Sequence, residues 1–460
     1  MKSGVLRCWL GIGMFLLLMC TNSFPVFANQ KIIEADGYYT VGDGLDENFS
    51  IAKERAKYKA MQNASEQACV FVESISMAQA GKLSQDEIRT ISANVLQLNE
   101  NPKYSTETAA AGTVIRIHCH VTVVVDDSNV LAILKQDKKE LDEAVEHNKE
   151  LEKEIARINR ENEELKVKFA TARSDEEKQK LREQSKENDK DFQAALYYEI
   201  GNQMMSQKDR NTNNYNYNGA IENYLKSLSI NPNQYSVWNR LGGVYFVIGN
   251  CEKAVECYTK AISINPKEFK AWIILGISYK RLGKYDKAID CYNKAISKNS
   301  RDSTAWHNMG SSYKAMGNYK KAIECYNRVL EIDPKSNYVW SQLARVYSKL
   351  GNRRKAISCY IKETKQNPFI NGKPYKTGGK DVWFELGNEY SNVGEQQKSI
   401  ECYTKAIETD PNFAAAYNNR GSCYENIRDY KNAKADYNKA YELNPNNQII
   451  AQNKKRSQKW

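Results

Sequence analysis

The sequence lacks the short motifs that usually carry catalysis, and it contains only four histidines among 460 residues. It has no HExxH or CxxC motif, no Gly-rich phosphate loop and no recognisable Ser-His-Asp set. Two of the histidines, His118 and His120, are close together, whereas His147 and His307 stand alone. We therefore expect a protein that is not an enzyme and that holds no metal and no cofactor.

Long apolar runs are equally scarce, and the one clear example lies at the N-terminus. The run CWLGIGMFLLLMC follows Lys2 and Arg7, and VFA brings the segment to Ala28. A basic start, a short apolar core and a small boundary residue are typical of a secretory signal peptide, here residues 1–28. The run has about 13 residues, whereas a membrane span needs about 20. We expect cleavage after Ala28 and export to the periplasm, the cell surface or the medium. The alternative is an uncleaved N-terminal anchor.

Acidic residues are outnumbered by basic ones, 56 against 67, which gives a net charge of +11. Such an excess is compatible with nucleic acid, an anionic membrane surface or acidic peptides as partners. Because export separates a protein from nucleic acid, we expect no nucleic-acid partner despite the charge.

One period of 34 residues governs more than half of the chain. It is marked by Trp238, Trp272, Trp306 and Trp340, and it resumes at Trp383 after an insertion at 371–379. Apolar residues fall at helical spacing, with one Gly near the middle and, in most copies, a Pro at the end, so each copy predicts helix, turn, helix and stop. The clearest copy reads Trp272, Leu275, Gly276, Tyr279, Gly283, Ala288, Tyr292 and Ala295.

This pattern resembles the tetratricopeptide repeat family over residues 194–447. The resemblance implies seven stacked helix-turn-helix copies in an α-solenoid with a concave docking surface, because one copy cannot bury its own apolar face. We expect a mainly α protein in which a coiled-coil helix and a small N-terminal α+β domain precede the solenoid. The expected segments are a signal peptide at 1–28, the α+β domain at 29–127, a coiled coil and helical spacer at 128–193, repeats at 194–234, 235–268, 269–302, 303–336, 337–370, 380–413 and 414–447, and a C-terminal cap or tail at 448–460.

The resemblance further implies that the first helix of each copy lines the concave face. The residues that it places there are mostly basic, with amide and apolar side chains between them: Asn239, Arg240, Lys270, Ile274, Lys280, Arg281, Asn308, Lys314, Arg345 and Lys349. Phe246, Ile273, Ile277, His307 and Tyr338 interleave with this set, and Asp381, Glu385 and Glu425 reverse the charge in the last copies.

A basic groove with an apolar patch suits an extended protein or peptide segment that bears carboxylates, held by charge-assisted hydrogen bonds. The groove does not reproduce the full Lys/Asn/Arg set of the family's C-terminal carboxylate clamp. The alternative is that these are solvated surface charges.

The cysteines of the repeats share one place in successive copies. Equivalent points on packed neighbouring helices lie roughly 8–10 Å apart, whereas a disulfide needs Cα atoms within about 7 Å. We therefore predict free, buried, apolar cysteines in the repeats and leave open a pair between Cys69 and Cys119. The repeat cysteines are Cys257, Cys291, Cys325, Cys359 and Cys402.

Between the N-terminal region and the repeats, two series with a spacing of seven residues run through residues 134–172. Asn148 and Asn162 lie in the first series, at a positions, where a buried Asn can fix the register of a parallel dimer. We predict a coiled coil that makes the protein a homodimer, with a single solvated helix as the alternative. Residues 174–190 carry almost no apolar seam and are predicted to be an unpaired helical or flexible spacer. The series are Leu134, Leu141, Asn148, Ile155, Asn162 and Phe169 at a, and Asp137, Ala144, Leu151, Ile158, Leu165 and Ala172 at d.

The N-terminal region predicts β-α-(α)-β-β. KIIEADGYYTVG reads as a strand, the next helix carries a stripe of small residues, a strand is expected at 91–99, and TVIRIHCHVTVVV alternates cleanly. ADGYYTVG, ERAKYKAMQNASEQACVFVES and DEIRTISANVL resemble an N-terminal domain of bacterial envelope proteins, of the type seen in a flagellar assembly protein and in small outer-membrane lipoproteins. The stripe consists of Ile51, Ala52, Ala56, Ala60, Ala64 and Ala68.

His118 and His120 lie two residues apart on a predicted strand and therefore point the same way. They are either two ligands of a metal or solvated residues of a polar strand face that they share with Arg116 and Thr122. We favour the second interpretation, since no third ligand lies nearby in the sequence.

These features together favour an exported scaffold or adaptor that recruits a partner protein through a basic concave groove. One alternative is a structural component of an envelope assembly in which the repeats act as a spacer. Another is an accessory factor of an envelope enzyme.

Overall fold

The structure is a computed structural model. It describes residues 30–41, 48–79, 83–108, 115–134, 138–206, 215–366, 369–370, 373–374 and 379–459, so the predicted signal peptide lies outside the described residues. The chain divides into two compact units, Met1–Pro232 and Asn233–Trp460, called here the N-terminal unit and the repeat unit. Among the described residues, no helix is both long enough and apolar enough to cross a membrane.

The N-terminal unit is built around an antiparallel sheet with two helices. The central strand β4 pairs along its whole length with β1 on one side, and with β2 and β3 on the other. The elements are β1 (Gln30–Val41), α1 (Phe49–Gln79), α2 (Gln85–Val95), β2 (Gln97–Leu98), β3 (Lys103–Thr108) and β4 (Ile115–Asp126).

The alternation of β4 and the small-residue stripe of α1 explain how the sheet and the helix pack. The residues of β4 from Ile117 to Val125 that point to one face are fully buried, and so is the alanine stripe of α1. Alanines leave room for the helix to lie directly on the strands. Both predictions, the alternating strand and the helix packed closely on the sheet, are confirmed.

Two details of the predicted sheet are wrong. The strand expected at 91–99 is mostly the helix α2, which begins with a capping box between Ser84 and Glu87 and runs to Val95. The segment KYSTET forms β3. It was not predicted as a strand because its residues do not alternate between apolar and polar. Its strand conformation comes from pairing with residues 115–120 of β4.

Four helices follow the sheet: α3 (Asp127–Leu134), α4 (Lys138–Thr171), α5 (Asp175–Ser206) and α6 (Tyr217–Ile230). Two of them, α4 and α5, form a helical hairpin that packs against the sheet and its helices. The helices α4 and α5 are antiparallel: Leu165 and Phe169 meet Leu181 beside the turn, and farther along the hairpin the Asn188 side chain donates to the Ile158 carbonyl at 2.9 Å.

The heptad seam of α4 is therefore buried inside one chain, and the predicted parallel coiled coil is corrected. Ile155 and Ile158 are 2% and 1% exposed. The Asn162 side chain, predicted to face its copy in a second chain, donates to the Tyr39 hydroxyl of β1. Neither a solvated single helix nor an unpaired spacer at 174–190 is present, because α4 and α5 cover each other.

We expect the protein to be monomeric in solution. A homodimer through residues 134–172 would require the hairpin to leave the sheet and expose Ile155 and Ile158. Light scattering coupled to size-exclusion chromatography at micromolar concentrations should give the mass of one chain. A dimer mass that reverts to one chain in an Asn162→Leu variant would contradict this expectation.

The repeat unit consists of helix pairs, as the tetratricopeptide resemblance predicts, and a last single helix. The pairs are α7 (Tyr235–Val247) with α8 (Cys251–Ile264), α9 (Phe269–Arg281) with α10 (Tyr285–Lys298), α11 (Ser303–Ala315) with α12 (Tyr319–Ile332), α13 (Asn337–Lys349) with α14 (Arg353–Gln366), α15 (Lys380–Asn392) with α16 (Gln396–Thr409) and α17 (Ala414–Asn426) with α18 (Tyr430–Leu443). The short strands β5 (Phe369–Ile370) and β6 (Lys373–Pro374) lie in the insertion, and α19 (Gln448–Ser457) follows α18. The mainly α fold with a helical repeat array is confirmed.

The repeating residues build each pair in the same way. A tyrosine of the second helix packs on the glycine of the first: a Cβ on Gly276 would lie 2.5 Å from a ring carbon of Tyr292. The turn glycine has positive φ, as at Gly283 (φ 71), which other residues rarely adopt. A lysine of the second helix lies over the tryptophan, with Lys294 4.4 Å from the Trp272 ring centroid.

The five repeat cysteines are free and buried, as predicted. Burial raises the pKa of each thiol, to about 11 for Cys291 and Cys359 and to about 12 for the other three. A thiol with a high pKa is a poor nucleophile, so these residues act as small apolar packing groups. Cys69 and Cys119 are also free, so the pair left open between them does not form.

Candidate functional site

The first helices of successive repeats meet through basic side chains. Lys280 of α9 donates to the Asn308 amide oxygen of α11 at 2.7 Å. One repeat later, Lys314 of α11 donates to the Gln342 amide oxygen of α13 at 2.6 Å. The two contacts join equivalent positions of the repeat. Each lysine lies eight residues after the tryptophan of its own copy, and each amide lies two residues after the tryptophan of the next copy. The two lysine heads are therefore held by neutral amides on one face of the array.

Arg281 extends this basic surface toward α7. Its guanidinium lies 3.8 Å from the ring centroid of Phe246, and one nitrogen donates to the Phe246 carbonyl at 3.3 Å. A guanidinium stacked on an aromatic ring keeps most of its donors available to a ligand.

We call Lys280, Arg281, Lys314 and Arg345 the basic cluster. Burial lowers the pKa of Lys280, and Arg281 and Lys314 lower it further. Burial and the charge of Arg345 likewise lower the pKa of Lys314. Among the residues that the structure describes, none of the four cations lies within 4.0 Å of a carboxylate. The cluster is thus a partly desolvated positive site whose charges repel one another.

His307 lies beside the basic cluster and is held between aromatic rings. Its ring centroid is 4.8 Å from that of Tyr338 and 5.7 Å from that of Tyr326. Burial and, to a smaller extent, the charges of Lys280 and Lys314 lower the pKa of His307 to about 4. The imidazole is neutral at pH 7, and its buried Nδ1 has no hydrogen-bond partner in the described part of the chain.

The pKa of His307 predicts an acid-sensitive repeat unit. Between the ordinary value of 6.5 and the folded value of about 4, the unfolded chain binds a proton that the folded chain does not, so stability falls as pH falls through this window. The loss should reach about 2–3 kcal/mol at pH 4. Urea denaturation, followed by tryptophan fluorescence, measures the free energy of unfolding at pH 7 and at pH 4. Between these values the His307→Phe variant should lose less of this free energy than the parent, by about 2–3 kcal/mol. Identical pH profiles for both proteins would rule out His307 as the source.

The remaining predicted groove residues do not all join the basic cluster. Lys270 and Lys349 are exposed, whereas Asn239, Arg240 and Ile274 are half-buried. The expectation that Ile273 lines the groove is wrong, since it is 5% exposed and packs with Ala295 and Ala305 in the core. Ile274, one residue later on the helix, stays accessible.

Sequence reasoning missed one residue of the site and misjudged another. Gln342 holds Lys314, and it occupies the same slot after its tryptophan as Asn308, which could have identified it. Glu425, predicted to present negative charge in the groove, is paired with Arg456 of α19 at 2.7 Å. It also accepts from the Tyr437 hydroxyl, so this carboxylate is occupied within the chain.

The histidine pair of the N-terminal unit has a partner on the neighbouring strand. One carboxylate oxygen of Asp36 lies 2.7 Å from His118 and 2.8 Å from His120. These hydrogen bonds lower the pKa of Asp36, with the bond to His120 contributing most. Tyr38 stacks on His118 at 4.6 Å. Within the described residues no set of three metal-ligating side chains is arranged to hold an ion, and the geometry is that of a cross-strand polar ladder.

Comparison with known families identifies the repeats. The model of the cilia and flagella-associated protein 70 C-terminal domain matches residues 126–361, and the tetratricopeptide repeat model matches residues 381–413 and 414–447. Because the first match spans more than half of the chain, the chain belongs to this family of tetratricopeptide repeat proteins. Such arrays are typically non-catalytic scaffolds that bind proteins or peptides.

Solved structures of repeat proteins are similar to parts of the chain. MamA is 29% identical, covers 32% of this chain and 85% of its own, and has a TM-score of 0.31. YrrB, a TPR protein with an unusual peptide-binding site, is 23% identical, with coverage of 44% and 100% and a TM-score of 0.38. The C-terminal part of a TPR repeat-containing protein from Cytophaga hutchinsonii is 18% identical, with coverage of 56% and 97% and a TM-score of 0.46. Comparison with curated proteins gives no match.

Proposed function

We propose that the protein is an exported scaffold that binds an extended, carboxylate-bearing segment of a partner protein at the basic cluster. The observation that carries the proposal is the repeated contact of Lys280 with Asn308 and of Lys314 with Gln342. It presents two cations at equivalent places in consecutive repeats, and no carboxylate of the described residues pairs with either of them.

The electrostatics of the basic cluster favour an anionic ligand. Burial lowers the pKa of Lys280 and Lys314, and neighbouring cations lower it further: Arg281 and Lys314 at Lys280, and Arg345 at Lys314. A ligand carboxylate replaces this repulsion with charge-assisted hydrogen bonds, which are about twice as strong as neutral ones. The amides of Asn308 and Gln342 already fix the lysine heads, so little side-chain entropy is lost on binding.

The spacing of the two lysines defines the ligand. Packed helices lie roughly 8–10 Å apart. A peptide in the extended polyproline II conformation rises about 3.1 Å per residue with three residues per turn, so side chains three residues apart point the same way about 9 Å apart. Two carboxylates with this spacing reach both Lys280 and Lys314. We expect a segment with the pattern acidic-x-x-acidic, with an apolar residue available to contact Ile274.

Export to the periplasm, the cell surface or the medium is part of the proposal. It is supported by the signal-like sequence of residues 1–28 and by the resemblance of residues 29–127 to an N-terminal domain of bacterial envelope proteins. A scaffold of this kind needs no homodimer, since the basic cluster lies within the repeats of one chain.

We expect a labelled ten-residue peptide with two aspartates three residues apart to bind the full chain. The double variant Lys280→Gln, Lys314→Gln should bind it about 100-fold more weakly, because each charge-assisted hydrogen bond contributes about 1.5 kcal/mol or more. Fluorescence anisotropy at low and at physiological salt measures both affinities.

The matched control changes the same charge elsewhere in the same repeats. Lys287 and Lys321 are exposed on the second helices, each over a tyrosine ring, and Lys287→Gln, Lys321→Gln should bind within twofold of the parent. A peptide with asparagines in place of the aspartates should bind poorly. Equal binding of the two peptides, or equal loss in both double variants, would disprove recognition at the basic cluster.

A further inference from the structure

A second site lies in the N-terminal unit, which the proposed function does not use. Four helices, α1, α2, α4 and α5, line a partly open cavity of about 230 Å³. Leu96, the residue that directly follows α2, also lines the cavity. An engineered cavity of about 150 Å³ accommodates benzene, so this one has room for a ligand of about eight to ten non-hydrogen atoms.

Two polar atoms of the cavity-lining residues have no hydrogen-bond partner in the described part of the chain. Glu199 is half-buried as a residue, but its Oε2 has no solvent contact and no hydrogen-bond partner among the described residues. Asn202, one turn later on α5, uses its oxygen to accept from Tyr224 at 2.8 Å, and its Nδ2 is buried without an acceptor. Buried polar groups in folded proteins are almost always satisfied, so these two atoms offer one acceptor and one donor to whatever fills the cavity.

The charge of the cavity is negative. Glu66, Glu152 and Glu199 line it together with one cation, Arg89. Burial and the nearby charge of Glu152 raise the pKa of Glu199 to about 7, although Lys57 and a hydrogen bond from Gln203 oppose this rise. A buried carboxylate that lacks a counterion is unfavourable, and a bound cation removes that cost.

The polar lining is interrupted by apolar side chains. Met61, Leu96 and Leu151 line the cavity, together with the ring of Tyr58. Burial raises the pKa of the Tyr58 hydroxyl, and the charge of Glu199 is the second cause, so the two side chains lie close together. Aliphatic and aromatic side chains beside carboxylates suit a ligand with a charged head and an apolar chain. An aromatic face adds attraction for an organic cation.

We propose that this cavity binds a small organic cation, a primary ammonium or guanidinium on a short aliphatic chain, with its head at Glu199. The chain of the ligand lies against Met61, Leu96 and Leu151, and a hydrogen-bond acceptor on that chain accepts from the Asn202 amide. The site is independent of the basic cluster, which attracts the opposite charge and lies in the other unit.

Three matched probes test the charge preference: n-hexylamine, 1-hexanol and hexanoate, titrated calorimetrically into the full chain at pH 8. We expect hexylamine to bind at least tenfold more tightly than hexanol and hexanoate to show no binding. Affinity for hexylamine should fall at pH 6, because Glu199 is then largely protonated while the amine stays charged. Equal binding of hexylamine and hexanol, or no binding of hexylamine at millimolar concentration, would overturn the proposal.

Variants on the same helix locate the site. Glu199→Gln keeps the shape and removes the charge, and it should weaken hexylamine binding at least tenfold while leaving hexanol unchanged. Glu187 is an exposed residue of α5 paired with Lys190, so Glu187→Gln should bind as the parent does. Ser65→Phe places a ring at the cavity and should block every probe. Unchanged binding in Glu199→Gln, with circular dichroism showing a folded chain, would overturn the assignment.

Discussion

Replacing Arg55 with methionine is expected to destabilise the N-terminal unit by about 3–5 kcal/mol, because the change removes the guanidinium that lies beside the buried carboxylate of Asp189. Arg55 is 3% exposed. Its guanidinium lies 3.3 Å from the Asp189 carboxylate and donates to the side chains of Asn159 at 2.6 Å and Asn188 at 2.8 Å. It also stacks on Phe192 at 4.2 Å. One side chain of α1 thus holds both helices of the hairpin.

Hydrogen exchange of the full chain measures this loss where it occurs. Amides of α1, α4 and α5 should exchange much faster in Arg55→Met. Tryptophan fluorescence reports the repeat unit, where Trp238, Trp272, Trp306, Trp340 and Trp383 lie, and it should show an unchanged unfolding transition.

A double-mutant cycle and a surface control distinguish the energy of the buried ion pair from the general effect of removing one positive charge. Asp189→Asn together with Arg55→Met should cost less than the sum of the single changes by about 2 kcal/mol, within the range for directly interacting residues. Arg157 forms exposed pairs with Glu154 and Glu161 on α4, and Arg157→Met should cost no more than about 0.5 kcal/mol. Protection of α1 in Arg55→Met equal to that of the parent would show that the hairpin is held by its apolar contacts alone.

The solenoid could be predicted from the sequence because its contacts are local and repeated. The ring of Tyr292 packs on Gly276 only 16 positions earlier, and the same pair recurs in most copies as in Tyr403 on Gly387. An interpretation of one copy can therefore be checked against the same positions in the others. The positions of Lys280 and Lys314 followed from the same register, although their amide partners did not.

The hairpin could not be predicted because periodicity shows that a stripe is buried but not what covers it. The seam of α4 has the spacing of a coiled coil, yet Asn162 meets Tyr39, which lies 123 residues away in the sequence. The same limit applies to Asp36 beside His118 and His120, and to Arg55 with Asp189. In each case the partner lies on an element that only the tertiary fold brings near.

The other large effect is expected from Gly37→Ala, which should destabilise the N-terminal unit by about 3 kcal/mol or more. A Cβ at Gly37 would lie 2.1 Å from the Ala56 carbonyl oxygen and 2.3 Å from the Ala60 backbone nitrogen. These are backbone atoms of α1, so no rotamer change relieves the overlap. The strand cannot retreat either, because Gly37 pairs with Cys119 of the central strand.

A glycine of the repeat unit gives the control with the opposite sign. A Cβ at Gly243, inside α7, would lie 3.5 Å from the Tyr258 hydroxyl, an ordinary contact. Because alanine is favoured over glycine in a helix by up to about 1 kcal/mol, Gly243→Ala should raise the unfolding midpoint seen by tryptophan fluorescence. Gly37→Ala should leave that midpoint unchanged and abolish protection of α1 in hydrogen exchange. Retained protection in Gly37→Ala would mean that α1 does not cross β1 at the alanine stripe, and the packing of helix on sheet would have to be redrawn.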